Sequence, residues 1–195
     1  EMATIPVIDL SQDDESKIVE QLMTAFTTIG FATLVHHGVS PELRSKAFEA
    51  SRRFFQLDTD TKMKYQYQNP TSNRGYIRCG AEHHDDHVTE KMPDVKETMD
   101  IGWDEEPGYT NQWPSQELTE AEFKCVLLEY FDTMDALQLK IMKYIGIGLN
   151  LSNPDYLVER CNGKHENLRL LHYPAIPVDT TTSQTRVRGN AHTDF

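Results

Sequence analysis

The order of patterns along the chain predicts an α+β protein. Three observations carry this expectation. Short β-branched runs alternate with capped helical stretches near the N-terminus; strand-like pieces sit in a Gly-, Pro-, Asp- and His-containing stretch from Asn69 to Trp113; and one long apolar stripe at helical spacing precedes a last group of alternating segments.

Ile5 to Leu10 (IPVIDL) reads as the first strand, and Ser11 and Asp14 in the following SQDDES suit a helix start. That helix is expected over 15–28, with Ile18, Leu22, Ala25 and Phe26 on one face and Gly30 closing it. FATLVHHG is a second strand. Ser40-Pro41 then supplies an N-cap and a proline at the first helical position, opening a helix on which Leu43, Ala47, Ala50 and Phe54 recur at helical steps. GYIRC and VKETMDIG are the strand-like pieces of the middle stretch. From Thr119, the residues Phe123, Leu127, Tyr130, Met134, Leu137, Ile141 and Tyr144 form a stripe on one helix ending near Gly146 or Gly148, read as a core helix packed on a sheet rather than a coiled-coil seam. A short helix from Pro154, the alternating LRLLHYP, a polar TTTSQT loop and a last strand, VRGNAHTDF, complete the chain. The expected organisation is an N-terminal region over 1–118, a long helix and its connection over 119–163, and the start of a core over 164–195.

With 195 residues, 38% of them hydrophobic, the chain can bury a core of its own. Nineteen Lys and Arg against 31 Asp and Glu give a formal charge of −12, a field that repels phosphate backbones and anionic membrane surfaces; neither nucleic acid nor a membrane is an expected partner. A small-molecule substrate is compatible with any net charge, because one buried arginine can set the sign inside a pocket. Cys79, Cys125 and Cys161 are odd in number and far apart, which fits a reducing, cytoplasmic setting. Neither an apolar run of about 18 residues nor the basic start and apolar stretch of a signal peptide occurs.

The sequence closes on GNAHTDF. In an extended segment residues i and i+2 share a face, so His192 and Asp194 would project together as an imidazole and a carboxylate able to meet one ion. With a second histidine from elsewhere they would make the 2-His-1-carboxylate set that holds Fe(II) and leaves positions open. H-x-D alone is a common spacing and needs context.

The context is a set of words in order: IPVIDL, GFATLVHHGV, NRGYIRCGAE, PDVKETMDIG, a long helix, LRLLHYP and HTDF. In that order the chain resembles the isopenicillin N synthase-like family of non-haem Fe(II)/2-oxoglutarate-dependent dioxygenases, over essentially its whole length. The resemblance implies a distorted double-stranded β-helix, or jelly roll, flanked by N-terminal helices, and the cofactors Fe(II), 2-oxoglutarate and O2. It implies that His192 and Asp194 are iron ligands and that Tyr173 bonds the distal carboxylate of 2-oxoglutarate, although a core aromatic is an equal reading of that tyrosine. The second histidine ligand and an Arg-x-Ser pair lie beyond residue 195 in such proteins, so the remainder of a longer polypeptide is an expected partner of this stretch. The implied activity is oxidation of an unactivated C–H bond of a small metabolite, by hydroxylation, desaturation or ring closure, in secondary metabolism. The alternatives are an iron oxidase of the same fold that does not use 2-oxoglutarate and a non-catalytic ligand-binding member.

Other candidates carry weaker signals. His83, His84 and His87 in HHDDH could form a zinc or nickel site, with a solvated loop as the default reading. His36 and His37 belong to a strand-to-helix turn. Arg74, Arg78 and Arg169 could each meet an anionic substrate, Arg169 being the first to test; surface or structural pairing is their default. Lys96 and Glu97 read as a structural pair, and His172, facing away from Tyr173, as structural.

Overall fold

The computed structural model describes residues 4–68, 73–81 and 95–175. In chain order the elements are β1 (Val7–Asp9), α1 (Glu15–Thr28), β2 (Thr33–Val35), α2 (Pro41–Phe55), α3 (Thr59–Met63), β3 (Gly75–Ile77), β4 (Glu97–Ile101), α4 (Lys124–Gly148), α5 (Tyr156–Cys161) and β5 (Leu168–His172). Helices and two small sheets make this an α+β arrangement. It forms two compact units, one of Glu1–Ala47 with Val126–His165 and one of Phe48–Cys125 with Glu166–Phe195. The expected last strand, VRGNAHTDF, lies outside the described residues.

In the first unit β1 and β2 pair in parallel, with Val7 opposite Thr33 and Asp9 opposite Val35, and α1 makes the crossover between them. Asp14 caps α1 by accepting from the Ser16 amide at 3.1 Å, and at the other end Gly30, at φ 82°, donates to the Ala25 carbonyl at 2.9 Å. The buried face of α1 is Ile18, Val19, Leu22 and Ala25, clustered with Ile8, Leu10 and Tyr144. Phe26, expected on that face, is 39% exposed. Ser40 caps α2 as expected, its hydroxyl accepting from the Leu43 amide at 3.0 Å.

The long helix departs from the expected stripe in two ways. Residues after Thr119 form turns, with a wide bond from the Cys125 amide to the Glu120 carbonyl at 2.9 Å, and regular helix begins at Lys124. Its buried residues include Leu127, Phe131 and Asp135, whereas Met134 is 37% exposed. Tyr144 of the expected stripe is buried as well, so the stripe is kept in part, with Phe131 and Asp135 added to it.

In the second unit β3, β4 and β5 form an antiparallel sheet in that order. Tyr76 stands opposite Met99, and Glu97, Asp100 and Ile101 stand opposite His172, Arg169 and Leu168. Alternation then assigns the side chains to faces. Tyr76, Glu97, Met99, Ile101, Leu170 and His172 share one, and Gly75, Thr98, Asp100, Arg169 and Leu171 share the other. Phe54 of α2 packs against Phe55, Tyr76 and Phe123 with ring centroids 5.3 to 5.9 Å apart. Asp58 caps the short α3, a helix absent from the sequence expectation, by accepting from the Thr61 amide at 2.9 Å.

Besides pairing with β4, β3 comes close to the backbone of residues 65–67 at Gly75. At φ 126°, a Cβ there would lie 2.8 Å from the Tyr67 amide nitrogen and 2.9 Å from the Tyr65 carbonyl oxygen. The approach lets Tyr76 exchange backbone hydrogen bonds with Tyr65 (2.8 Å) and Tyr67 (3.2 Å), stitching the segment after α3 to the sheet.

Candidate functional site

All five positions of β4 are buried, so its charged side chains need partners, and the two faces of the sheet provide them differently. On the face turned to α2 and α3, the Glu97 carboxylate accepts from Lys62 Nζ at 2.8 and 3.0 Å, from the Tyr76 hydroxyl at 2.5 Å and from His172 Nδ1 at 2.7 Å. Burial by itself would raise the Glu97 carboxyl. The hydrogen bonds from Lys62, Tyr76 and His172 outweigh it and hold the group below its ordinary range. Burial, and then the bond to Glu97, push the Tyr76 phenol well up. The His172 ring also stacks on Phe55, 5.3 Å between centroids and 28° between planes.

On the opposite face Arg169 donates from Nε and Nη2 to the two oxygens of Asp100, each at 2.8 Å, across the directly paired strands. Asp100 is fully buried, and the Arg169 side chain is 33% exposed. Tyr173, 42% exposed, directly follows the last residue of β5, and strand alternation carried one residue further would set it on the face of Arg169.

A second buried pair lies at the edge of the same unit. Arg74, 4% exposed, donates from Nη2 to Glu106 at 2.5 Å and from Nη1 to the Asn167 side chain at 3.1 Å, beneath the Tyr109 ring. Gly102 makes the space, since a Cβ there would fall 1.8 Å from Nη2. Asn111 bonds both backbone groups of Gly102, at 3.0 and 2.8 Å, and reaches Asp104, which also accepts from Trp113 and Lys124. Burial would raise the Asp104 carboxyl; Lys124, Trp113 and Asn111 outweigh it and lower the group.

The expected site residues are thus placed unequally. Strand alternation would set Tyr173 and Arg169 on one face. Arg74 is buried and its charge is matched by Glu106, the structural pairing that is its default reading. Arg78 is exposed. The expected pair of Lys96 with Glu97 is replaced by Lys62 with Glu97, because successive strand residues point to opposite faces. His172 is polar and engaged rather than inert, a role with no local signal, since its partners are distant in sequence. His36, at φ 51°, bonds Asp9 through Nδ1 at 2.8 Å, and His37 Nδ1 accepts from the Val39 amide, so both serve the turn as expected. Ser11 first, then His36, hold the Asp9 carboxyl at about 2. His83, His84, His87, His192 and Asp194 lie outside the described residues. Among the described residues no group of three His, Cys, Asp or Glu side chains is placed to hold a metal ion, and no helix is long and apolar enough to cross a membrane.

An N-terminal region of helices and a small parallel sheet, followed by an antiparallel sheet, is the arrangement to be compared with known proteins. Residues 5–116 match the family model for the N-terminal region of the non-haem dioxygenases of morphine synthesis, and the chain belongs to that dioxygenase family. It is similar to the 2-oxoglutarate-dependent dioxygenase ecdK of Aspergillus rugulosus, 32% identical over 90% of this chain and 56% of that protein. It is also similar to a full-length Neurospora crassa protein solved in complex with alpha-KG (2-oxoglutarate), with a TM-score of 0.81 and 31% identity over 98% of this chain and 61% of that one. The same Neurospora protein solved with alpha-KG and thymine matches with a TM-score of 0.74 at 31% identity, over 87% of this chain and 55% of that one. The chain therefore spans less than two thirds of the length of these relatives.

Proposed function

We propose that this chain belongs to an Fe(II)/2-oxoglutarate-dependent oxygenase acting on a small molecule. The observation that carries this reading is the likeness to the 2-oxoglutarate-bound Neurospora protein along 98% of the chain. In this reading His192 and Asp194 hold iron with a histidine from further along the polypeptide, and residues 164–195 begin a jelly-roll core. An imidazole and a carboxylate are the donor chemistry Fe(II) takes in such enzymes. Bound iron would supply the oxidising chemistry, with 2-oxoglutarate and O2 consumed, succinate and CO2 released, and one oxygen atom delivered to a C–H bond or used to desaturate or cyclise.

The described residues supply recognition. Tyr173 donates its hydroxyl to the distal carboxylate of 2-oxoglutarate. Arg169, held by two hydrogen bonds to Asp100, offers a fixed guanidinium to an anionic group of the substrate. A cytoplasmic location and a role in secondary metabolism belong to the same proposal.

The test is succinate release from 2-oxoglutarate by the full-length protein supplied with Fe(II). Turnover by the wild type and its loss in His192→Ala are expected. Equal turnover in the two removes His192 from the mechanism, and no succinate from the wild type with any of a panel of small-molecule acids and bases rejects the reading.

A further inference from the structure

Glu97 ties three other elements to β4. Lys62 comes from α3, Tyr76 from β3 and His172 from β5, and each donates to the one carboxylate. The Lys62 ammonium is held further by the Phe55 carbonyl at 3.2 Å. Closing a core does not require such a cluster: apolar residues of similar volume fill the same space at equal or lower free energy. What a buried, charge-assisted network adds is direction.

The element it directs is the end of β5. His172 is fixed twice, by the hydrogen bond from Nδ1 to Glu97 and by its stack on Phe55, and these contacts constrain the position of the ring and its tilt. Tyr173 is the next residue along an alternating segment, so the rotation of the strand about its own axis at His172 sets where the phenol points on the other face. A strand end held only by backbone bonds and apolar contact can roll by some degrees; a carboxylate that accepts a directed N–H opposes that roll.

We infer that the Lys62–Glu97–His172 network is a positioning device for Tyr173, and that it sets the affinity of the protein for 2-oxoglutarate from the face of the sheet that does not meet it. The inference rests on the reading of Tyr173 as a co-substrate contact. Glu97 and His172 are positioning residues in this scheme and touch neither co-substrate nor substrate.

The experiment measures 2-oxoglutarate binding to the full-length protein by calorimetry, without oxygen and in the presence of Fe(II), alongside the thermal midpoint of each variant. His172→Phe keeps a ring to stack on Phe55 and removes the donor; His172→Asn removes the ring and keeps an N–H near the position of Nδ1. The dissociation constant is expected to rise about tenfold in His172→Phe, the loss of one hydrogen bond to a charged group, and to stay within about twofold of wild type in His172→Asn. Leu170→Ala, on the same face and strand but without a polar contact, is expected to lower the midpoint and leave the dissociation constant unchanged. Unaltered binding in His172→Phe overturns the inference. So does equal weakening in His172→Phe and His172→Asn, or weakening in Leu170→Ala as large as in His172→Phe, since packing alone would then account for the effect. Unaltered binding in Tyr173→Phe overturns it as well by removing the residue to be positioned. Failure of the wild type to bind 2-oxoglutarate is a different result, because it rejects the proposed function itself.

Discussion

The unit built around α1 and the unit built around β4 both bury apolar side chains, and they differ in the polar ones buried beside them. The first packs Ile8, Leu10, Ile18, Val19, Leu22, Ala25 and Tyr144 into an apolar cluster. The second buries Lys62, Arg74, Lys96, Glu97, Thr98, Asp100, Glu106 and Asn111, and the described part of the first unit buries one such polar residue, Asp135. Apolar contact is non-directional and tolerates exchange of residues of like volume, whereas a buried ion pair specifies which atoms must meet. The difference separates a unit that needs only to be packed from one that must also hold particular side chains at particular angles.

The comparison can be broken or sharpened by substitution. The largest effect is expected in the polar unit: Lys62→Ala or Glu97→Gln leaves a buried charge unmatched and should cost about 3–5 kcal/mol, read from the midpoint and slope of urea unfolding. Tolerance of Glu97→Gln would end the distinction. Leu22→Ala in the apolar unit should cost about 2–5 kcal/mol through lost contact and the cavity left behind, while Leu22→Met, which keeps the volume, should cost less than about 1.5 kcal/mol. The contrast is therefore sharpest between near-isosteric changes, severe at Glu97 and mild at Leu22.

Acid should separate the two units as well. The Glu97 and Asp104 carboxyls are lowered in the folded protein, so each contributes stability that is present above the unfolded carboxylate range and lost as the pH falls through the folded value. Both tryptophans, Trp103 and Trp113, belong to the polar unit, and Trp113 donates to Asp104 at 2.8 Å. Below a pH of about 4, tryptophan fluorescence should change before the helical ellipticity is lost. Coincident transitions would show the polar unit to be no more acid-sensitive than the other. The smallest effect is at a helix end: Ser40→Ala removes the cap on α2 and should cost about 1 kcal/mol.

Helices were the more legible part of the sequence because their signals are local. Asp14, Gly30 and Ser40-Pro41 mark ends within a few residues of the elements they bound. Where a helix has no apolar period, as in Thr59–Met63, that signal is missing, and Asp58 alone does not announce a turn of helix. On α4 the periodicity was visible, but its phase was decided by packing, which buried Phe131 and Asp135 and left Met134 outside. The shared face of Arg169 and Tyr173 follows from strand alternation and could be read directly. The Glu97 network could not, because Lys62, Tyr76 and His172 come from three other elements and meet only through the register of β3, β4 and β5. Lysine, glutamate and aspartate within a single strand, KETMD, were the available hint that buried partners had to exist somewhere.

Gly75 limits how this scaffold can diversify. It heads the row that crosses the sheet through Asp100 to Arg169, and any side chain there would collide with the backbone at Tyr65 and Tyr67. A side chain can enter this row only if the segment after α3 moves away from the sheet, so the joint between them is closed by the smallest residue available.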